Sequence, residues 1–205
     1  MKKTIIVALA LLAAASGCSK KTTAPEEFTA AQYLTQGWTS FNTGNYSTAQ
    51  TNFDNAISKD AALADAYNGK GWCQGILGSP AGALASFATG ATRTGTAVVL
   101  NEIRFGAAFA YSAIDSASQA IVNDSTGLAA DPDWAFSHTY RVSQDNVLDY
   151  HEAWLLLAQN HFKLGQFTRA EDYVQLLHTG FEVDETTPAG QAALQGEIER
   201  LAGTM

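Results

Sequence analysis

The chain has 205 residues, with 12 Lys+Arg against 20 Asp+Glu and a formal net charge of −8. Its length allows one domain or one and a half, and its 46% apolar content is ordinary for a chain that buries a core. An acidic chain without a basic run is a poor nucleic-acid binder, because such binding depends on neutralising phosphates. Two cysteines exclude a disulfide framework, and a mean hydropathy of −0.06 excludes a polytopic membrane protein.

The first 17 residues predict a secretory signal. Two lysines give a positive start, and the apolar run at 5–15 is shorter than the roughly 20 residues that span a bilayer. The run ends in Ala-Ser-Gly-Cys at 15–18, which resembles the lipobox of bacterial lipoproteins. The resemblance implies cleavage before Cys18, lipid chains on that cysteine and, with Ser19 next, an outer-membrane location facing the periplasm. The alternative is ordinary signal cleavage that leaves Cys18 free.

Residues 18–28 are polar, contain a proline and predict a flexible tether between the membrane and a domain at 29–205. Lys20 and Lys21 beside the anchor favour anionic lipid headgroups. Without the signal, the chain keeps 10 Lys+Arg against 20 Asp+Glu, a net charge of −10. We therefore expect the domain itself to be repelled from an anionic membrane surface.

A repeat with a period of 34 residues organises the domain. Sliding the chain by 34 positions pairs seven identical residues: Ala30/Ala64, Tyr33/Tyr67, Gly37/Gly71, Trp38/Trp72, Gly44/Gly78, Ala49/Ala83 and Phe53/Phe87. An aromatic residue and a glycine four positions apart lie on one helix face. The glycine lets a second helix approach closely, and the next glycine falls where the first helix must stop. The pattern predicts helical hairpins.

The period and these positions resemble the tetratricopeptide repeat, and a segment from Trp154 to Leu177 follows the same spacing. Between them, a degenerate repeat is predicted with helices over 98–111 and 115–130. The residues from 191 to 202 predict an amphipathic helix that caps the solenoid. The resemblance implies an all-α, right-handed solenoid of about four hairpins, with an irregular insertion at about 131–149 and a C-terminal capping helix.

No residue pattern in the chain predicts catalysis or a bound metal. Cys73 lies within a predicted helix with no histidine nearby in sequence, which favours a buried core residue. The four histidines lack the spacing of three or four that a helical metal pair requires. A nucleophile, a base and a group to orient it cannot be assembled, so we expect no enzyme, no cofactor and no metal.

The resemblance to tetratricopeptide repeats also implies a concave groove lined by the first helix of each hairpin. The predicted groove positions are Leu34, Trp38, Phe41, Asn42, Asn68, Trp72, Ile76, Glu152, Leu155, Gln159, Phe162 and Lys163. Trp38 and Trp72 occupy the same slot one repeat apart, so their rings can flank a ligand. The alternative is that the two rings pack within the protein.

The insertion contains a second candidate feature. Trp134, Phe136, His138 and Tyr140 alternate with other residues, which predicts an extended segment with one aromatic face. A loop of this length in a compact repeat domain is unusual and is often functional. The alternatives are a ligand-contacting segment or a strut that fills the groove, and in the second case it can lie across the two tryptophans.

We therefore expect a membrane-anchored scaffold that binds an envelope protein or an extended peptide in its concave groove, because stacked repeats form such surfaces. The alternative is capture of a small molecule or glycan by Trp38, Trp72 and the aromatic insertion. The fold does not identify the partner.

Overall fold

A computed structural model describes residues 27–139 and 148–205, and within these ranges the chain forms nine α-helices. The helices are α1 (Ala30–Asn42), α2 (Tyr46–Lys59), α3 (Ala64–Ile76), α4 (Pro80–Gly90), α5 (Ala97–Ala113), α6 (Ala117–Ala130), α7 (Tyr150–Lys163), α8 (Phe167–Leu177) and α9 (Pro188–Ala202). Successive pairs pack as four antiparallel hairpins, and α9 packs against α7 and α8. The predicted solenoid of four hairpins with a C-terminal capping helix is confirmed. We call the first helix of each hairpin its A helix and the second its B helix.

The hairpins are held in register by phenylalanine rings that fit between glycines. The ring of Phe53 on α2 is fully buried and lies against Gly37 of its own A helix and Gly69 of the next. A Cβ atom at Gly37 would lie 2.5 Å from this ring, so no larger residue fits without a shift. The same arrangement recurs one hairpin later, with Phe87, Gly71 and Gly106. Each ring thus joins two consecutive A helices and fixes the distance between them.

Each A helix ends in a tight turn whose geometry explains the repeated glycines. Gly44, Gly78 and Gly165 have φ angles of 78°, 81° and 70°, in the left-handed region that a side chain disfavours. In the third hairpin the corresponding residue is Asp115, with a φ of 56°. Aspartate tolerates this conformation better than most residues, which explains why the third repeat is hard to recognise from sequence but still forms a hairpin.

The buried side chains form two clusters. The larger one joins the first three hairpins and Ala153 of α7, and it includes Trp134, Phe136 and Leu148 from the segment between α6 and α7. The smaller cluster joins the fourth hairpin to α9. The face of α9 predicted to be apolar packs in this smaller cluster, through the side chains of Leu194, Ile198 and Leu201.

The segment between α6 and α7 doubles back on itself. Its two described parts, 131–139 and 148–149, meet at an antiparallel bridge between Ala135 and Asp149. The Phe136 amide donates to the Leu148 carbonyl at 2.9 Å, and the Tyr150 amide donates to the Trp134 carbonyl at 2.9 Å. These bonds bring the aromatic residues of the insertion back over the A helices.

Several sequence-based predictions fall on residues outside the described ranges. They are the signal at 1–17, the lipidation at Cys18, most of the tether and the contact of Tyr140, and they stay predictions. Among the described residues, no helix is both long and apolar enough to cross a membrane.

The fit between rings and glycines predicts that glycine-to-alanine substitutions at two positions one turn apart on α3 have opposite effects on the free energy of unfolding. Gly71→Ala places a methyl group against the Phe87 ring, and we expect a loss of about 1–3 kcal/mol in the free energy of unfolding. Gly75→Ala meets no atom closer than 3.9 Å and removes a helical glycine, so we expect a gain of up to about 1 kcal/mol. Urea denaturation measures both. Equal effects of the two substitutions would contradict the proposed packing.

Candidate functional site

Residues 134–139 form an extended segment, here called the strap, that crosses the concave face of the first three hairpins. Alternate side chains point into the protein: Trp134 and Phe136 are buried and His138 is half-buried, whereas Ala135, Ser137 and Thr139 are exposed. The strap therefore has the single aromatic face that its alternating sequence predicts. Its fourth aromatic candidate, Tyr140, lies outside the described residues.

The strap crosses the A helices in reverse chain order, from α5 to α3 to α1. Trp134 stacks on Phe105 of α5, with ring centroids 3.9 Å apart. Phe136 follows, at 4.7 Å from the ring of Trp72 on α3. At the far end, His138 stacks almost parallel on Trp38 of α1, with centroids 3.4 Å apart and planes 7° apart. Each aromatic side chain of the strap thus meets an aromatic residue of a different A helix.

The strap backbone is bound by polar side chains of the A helices. The Ser137 amide donates to Glu102 Oε1 at 2.9 Å, and Asn68 Nδ2 donates to Glu102 Oε2 at 2.7 Å. Near α1, the Thr139 amide donates to Asn42 Oδ1 at 2.9 Å. Each of these bonds pairs a main-chain donor of the strap with a side chain of an A helix, so together they fix the position of the strap along the groove.

Burial shifts the pKa values of two carboxyl groups beneath the strap and of one histidine within it. Burial raises the pKa of the Glu102 carboxyl, although its hydrogen bonds to Ser137 and Asn68 oppose the shift. Burial also raises the pKa of Asp65, which accepts a hydrogen bond from the Trp38 indole at 3.2 Å. For His138, burial lowers the pKa to about 4, so the ring that stacks on Trp38 is neutral at pH 7.

Of the two alternatives for the insertion, the geometry matches the strut, which closes the groove predicted for the first two hairpins. The slot between Trp38 and Trp72 is filled by Phe136, whose ring lies 6.2 Å from the first and 4.7 Å from the second. Four predicted groove residues are buried: Trp38, Phe41, Asn68 and Trp72. Leu34 and Ile76 are half-buried against the same core, and exposed Asn42 binds the strap. The strap fills this groove because its aromatic side chains bury apolar surface there.

The predicted groove positions of the fourth hairpin are not covered by the strap. Gln159, Phe162 and Lys163 line an open cavity of about 550 Å³, together with Ile198 and Glu199 of α9. The other two predicted positions are structural. Leu155 is buried in the core, and Glu152 accepts a hydrogen bond from the Asp149 amide that begins α7.

Sequence reasoning missed Glu102, the residue that binds the middle of the strap. A signal was present, because Leu34, Asn68 and Glu102 are successive positions at the 34-residue offset. The third repeat lacks most of the residues that mark the other hairpins, so its groove positions were not assigned. The bond between Asn68 and Glu102 thus joins the same position of two adjacent repeats.

Two other buried groups do not belong to this site. Cys73 is fully buried, and burial raises the pKa of its thiol to about 12, which fits the predicted core position. Asp124 on α6 is fully buried without a hydrogen-bond partner among the described residues, and burial raises its pKa well above the usual range. In the described part of the chain, no group of three or more His, Cys, Asp or Glu side chains is arranged to hold a metal ion.

Comparison with known proteins supports the same architecture. No protein-family model and no curated protein matches the sequence. Among solved structures, the chain is similar to MamA, with a TM-score of 0.57, 13% identity and coverage of 85% of this chain and 81% of that one. It is similar to PilW, described as a widely conserved type IV pilus biogenesis factor, with a TM-score of 0.59, 18% identity and coverage of 85% and 70%.

A third similar structure is a tetratricopeptide repeat protein from Parabacteroides merdae, with a TM-score of 0.55, 14% identity and coverage of 85% of this chain and 60% of that one. Such low identities show the fold alone. These structural similarities and the four stacked hairpins define this protein as a solenoid with the tetratricopeptide-repeat fold.

The stacking of His138 on Trp38 predicts an unusual titration. We expect the His138 imidazole to titrate near pH 4, because the docked strap keeps the ring from water. NMR of the ring protons measures this titration. Ser137→Pro removes the main-chain N–H that donates a hydrogen bond to Glu102, so it should loosen the strap. The pKa of His138 should then rise towards its ordinary value of about 6.5.

The matched control is Ser137→Ala, which keeps the main-chain donor and should leave the His138 pKa low. Titration of His138 near pH 6.5 in the unchanged protein would show that the strap is not docked in solution.

Proposed function

We propose that this protein is a lipid-anchored scaffold of the bacterial cell envelope that binds an extended segment of a partner protein. The proposed binding surface is the uncovered concave face of the fourth hairpin and α9. Stacked helical repeats form extended concave surfaces of this kind, and the acidic charge of the chain disfavours nucleic acid as the partner.

One observation carries the proposal: the concave face of the first three hairpins already holds an extended segment of the chain itself. In α1, Phe41 contacts the strap residue Phe136, with ring centroids 5.9 Å apart, and Asn42 accepts from the strap backbone. The equivalent positions of α7 are Phe162 and Lys163, which line the open cavity. The strap therefore serves as an example of the kind of ligand that these helix positions bind.

The lining of the open cavity indicates the chemistry of the partner segment. Phe162, Phe167 and Ile198 offer apolar surface, which suits an apolar side chain. Gln159 and Gln195 carry amides that can donate to and accept from an extended backbone, and the Gln195 amide already donates to Glu199 Oε1 at 2.8 Å. Lys163 and Glu199 also line the cavity, where Lys163 pairs with Asp115 at 3.1 Å and Glu199 accepts this bond from Gln195. An extended peptide with an apolar anchor residue matches this combination best.

The alternative function, glycan or small-molecule capture between Trp38 and Trp72, has weaker support. Sugar binding by tryptophan requires an open ring face. One face of Trp38 is covered by His138, and Phe136 occupies the slot between the two tryptophans. A ligand there would first have to displace the strap.

The described chain begins at the first hairpin, at the opposite end of the solenoid from the proposed binding surface. Glu27, near the C-terminal end of the predicted tether, forms an ion pair with Lys59 of the first hairpin at 2.7 Å. The fourth hairpin lies three hairpins further along. A lipid on Cys18 would therefore precede the first hairpin, and the proposed binding surface on α7 and α9 would lie three hairpins further along the chain.

Crosslinking in native membranes, followed by mass spectrometry, tests the binding surface. We expect Gln195→Arg, which puts a charge at the rim of the cavity, to reduce recovery of crosslinked partner at least about tenfold. The matched control is Gln175→Arg, the same change on the exposed face of α8, which should keep full recovery. Equal recovery with both variants would exclude this surface as the partner site.

Metabolic labelling with a palmitate analogue tests the anchor. Cys18→Ser should abolish the label and move the protein out of the membrane fraction, because several acyl chains are needed for stable anchoring. Cys73→Ser is the matched control, since that cysteine is buried in the core, and it should keep both the label and the membrane fraction. Undiminished labelling of the Cys18 variant would contradict lipidation at that residue.

A further inference from the structure

A second concave cavity, of about 380 Å³, lies beside the strap and is not filled by it. It lies between α3 and α5, with the N-terminal part of α4 and the return segment of the insertion at its sides. Its main lining residues are Trp72, Ile76, Phe87, Phe109, Ala110 and Leu148. Gly75 also lines it and has open space where a side chain would stand, because an added Cβ would meet no atom closer than 3.9 Å.

The chemistry of this cavity favours an uncharged ligand. Among its described lining residues, the charged one is Glu152, which is 7% exposed and accepts a hydrogen bond from the Asp149 amide at 2.7 Å. No lysine or arginine among the described residues lines the cavity to attract an anion. An anion would lose its hydration there without gaining a partner, which is strongly unfavourable, and the carboxylate that a cation could meet is already bonded to the Asp149 amide.

The shape of the cavity favours a compact ligand over a long one. Leu148 and the strap beside it close one side, so an extended peptide cannot continue through the cavity along the groove. An apolar cavity of about 150 Å³ is enough to hold benzene. A cavity of about 380 Å³ therefore has room for a ligand of two fused rings.

Aromatic rings at differing angles line this space. Trp72 lies 5.9 Å from Phe87, with planes 78° apart, and 6.1 Å from Phe109, with planes 52° apart. The rings thus stand at different angles around the space, and aromatic pairs prefer offset-stacked and edge-to-face contacts. A flat aromatic ligand can make several such contacts at once, whereas a flexible aliphatic chain cannot.

We propose that this cavity is a binding site for a compact, uncharged aromatic molecule of about two fused rings. The site is separate from the proposed partner surface on α7 and α9, and either proposal can fail without the other. It is also distinct from the slot between Trp38 and Trp72, because Phe136 of the strap occupies that slot.

Indole is a suitable probe, and the backbone amides of Gly71 and Gly106 at the cavity are suitable NMR reporters in the full-length protein. We expect indole to shift both signals saturably. Gly75→Leu should weaken indole binding at least tenfold, because the new side chain fills the cavity. The matched control is Gly196→Leu on α9, where no atom lies within 4 Å of an added Cβ, and it should bind indole normally.

A second filling variant, Ala113→Leu at the exposed end of α5, covers the case in which Gly75→Leu does not fold. Loss of indole binding in either folded variant supports the proposal. Absence of a saturable shift up to the solubility limit of indole would overturn it, and so would equal binding by the filled and control variants. A saturable response to n-octanol without one to indole would also overturn it, and would assign the cavity to a chain-like ligand instead.

Discussion

The packing of one phenylalanine ring between glycines of two consecutive A helices is the contact on which the rest of this structure depends. Phe53 and Phe87 each fill a notch that exists because the facing residues lack a Cβ atom. The notch lets neighbouring A helices approach closely and sets a constant step along the first three hairpins. A constant step aligns equivalent positions of α1, α3 and α5 into one wall. A larger residue at any of these glycines would move a helix and break that alignment.

The aligned wall explains why an extended segment can bind across it. A strand places alternate side chains on one face, and the strap uses this spacing to set Trp134, Phe136 and His138 against aromatic residues of successive A helices. The polar contacts follow the same repeat, since Glu102 binds both the strap and the equivalent residue of the preceding hairpin, Asn68. The first three hairpins and the strap thus share one core. In this part of the molecule, the groove is filled by side chains of the protein itself.

The fourth hairpin differs because its core is shared with the capping helix instead of the strap. Its A helix keeps the positions that bind the strap in α1, but leaves them open next to α9. The strap also leaves a smaller pocket beside Trp72, closed on one side by its own return segment. The concave face therefore consists of a filled part, an apolar pocket and an open end.

The sequence by itself determined the period of 34 residues, the four hairpins, the buried face of α9 and the alternating aromatic face of the insertion. Each of these features can be predicted from the spacing of residues close together in the chain, because side chains on one face of a helix or strand recur every few residues. Only the tertiary structure decided that the aromatic face lies in the groove, that Trp38 and Trp72 are covered, and that Glu102 binds the strap. These outcomes depend on contacts between residues far apart in the chain, such as Asn42 with Thr139, 97 positions away. Local spacing carries no information about which of two apolar faces will meet, because that choice is made by the surface buried when the whole chain packs.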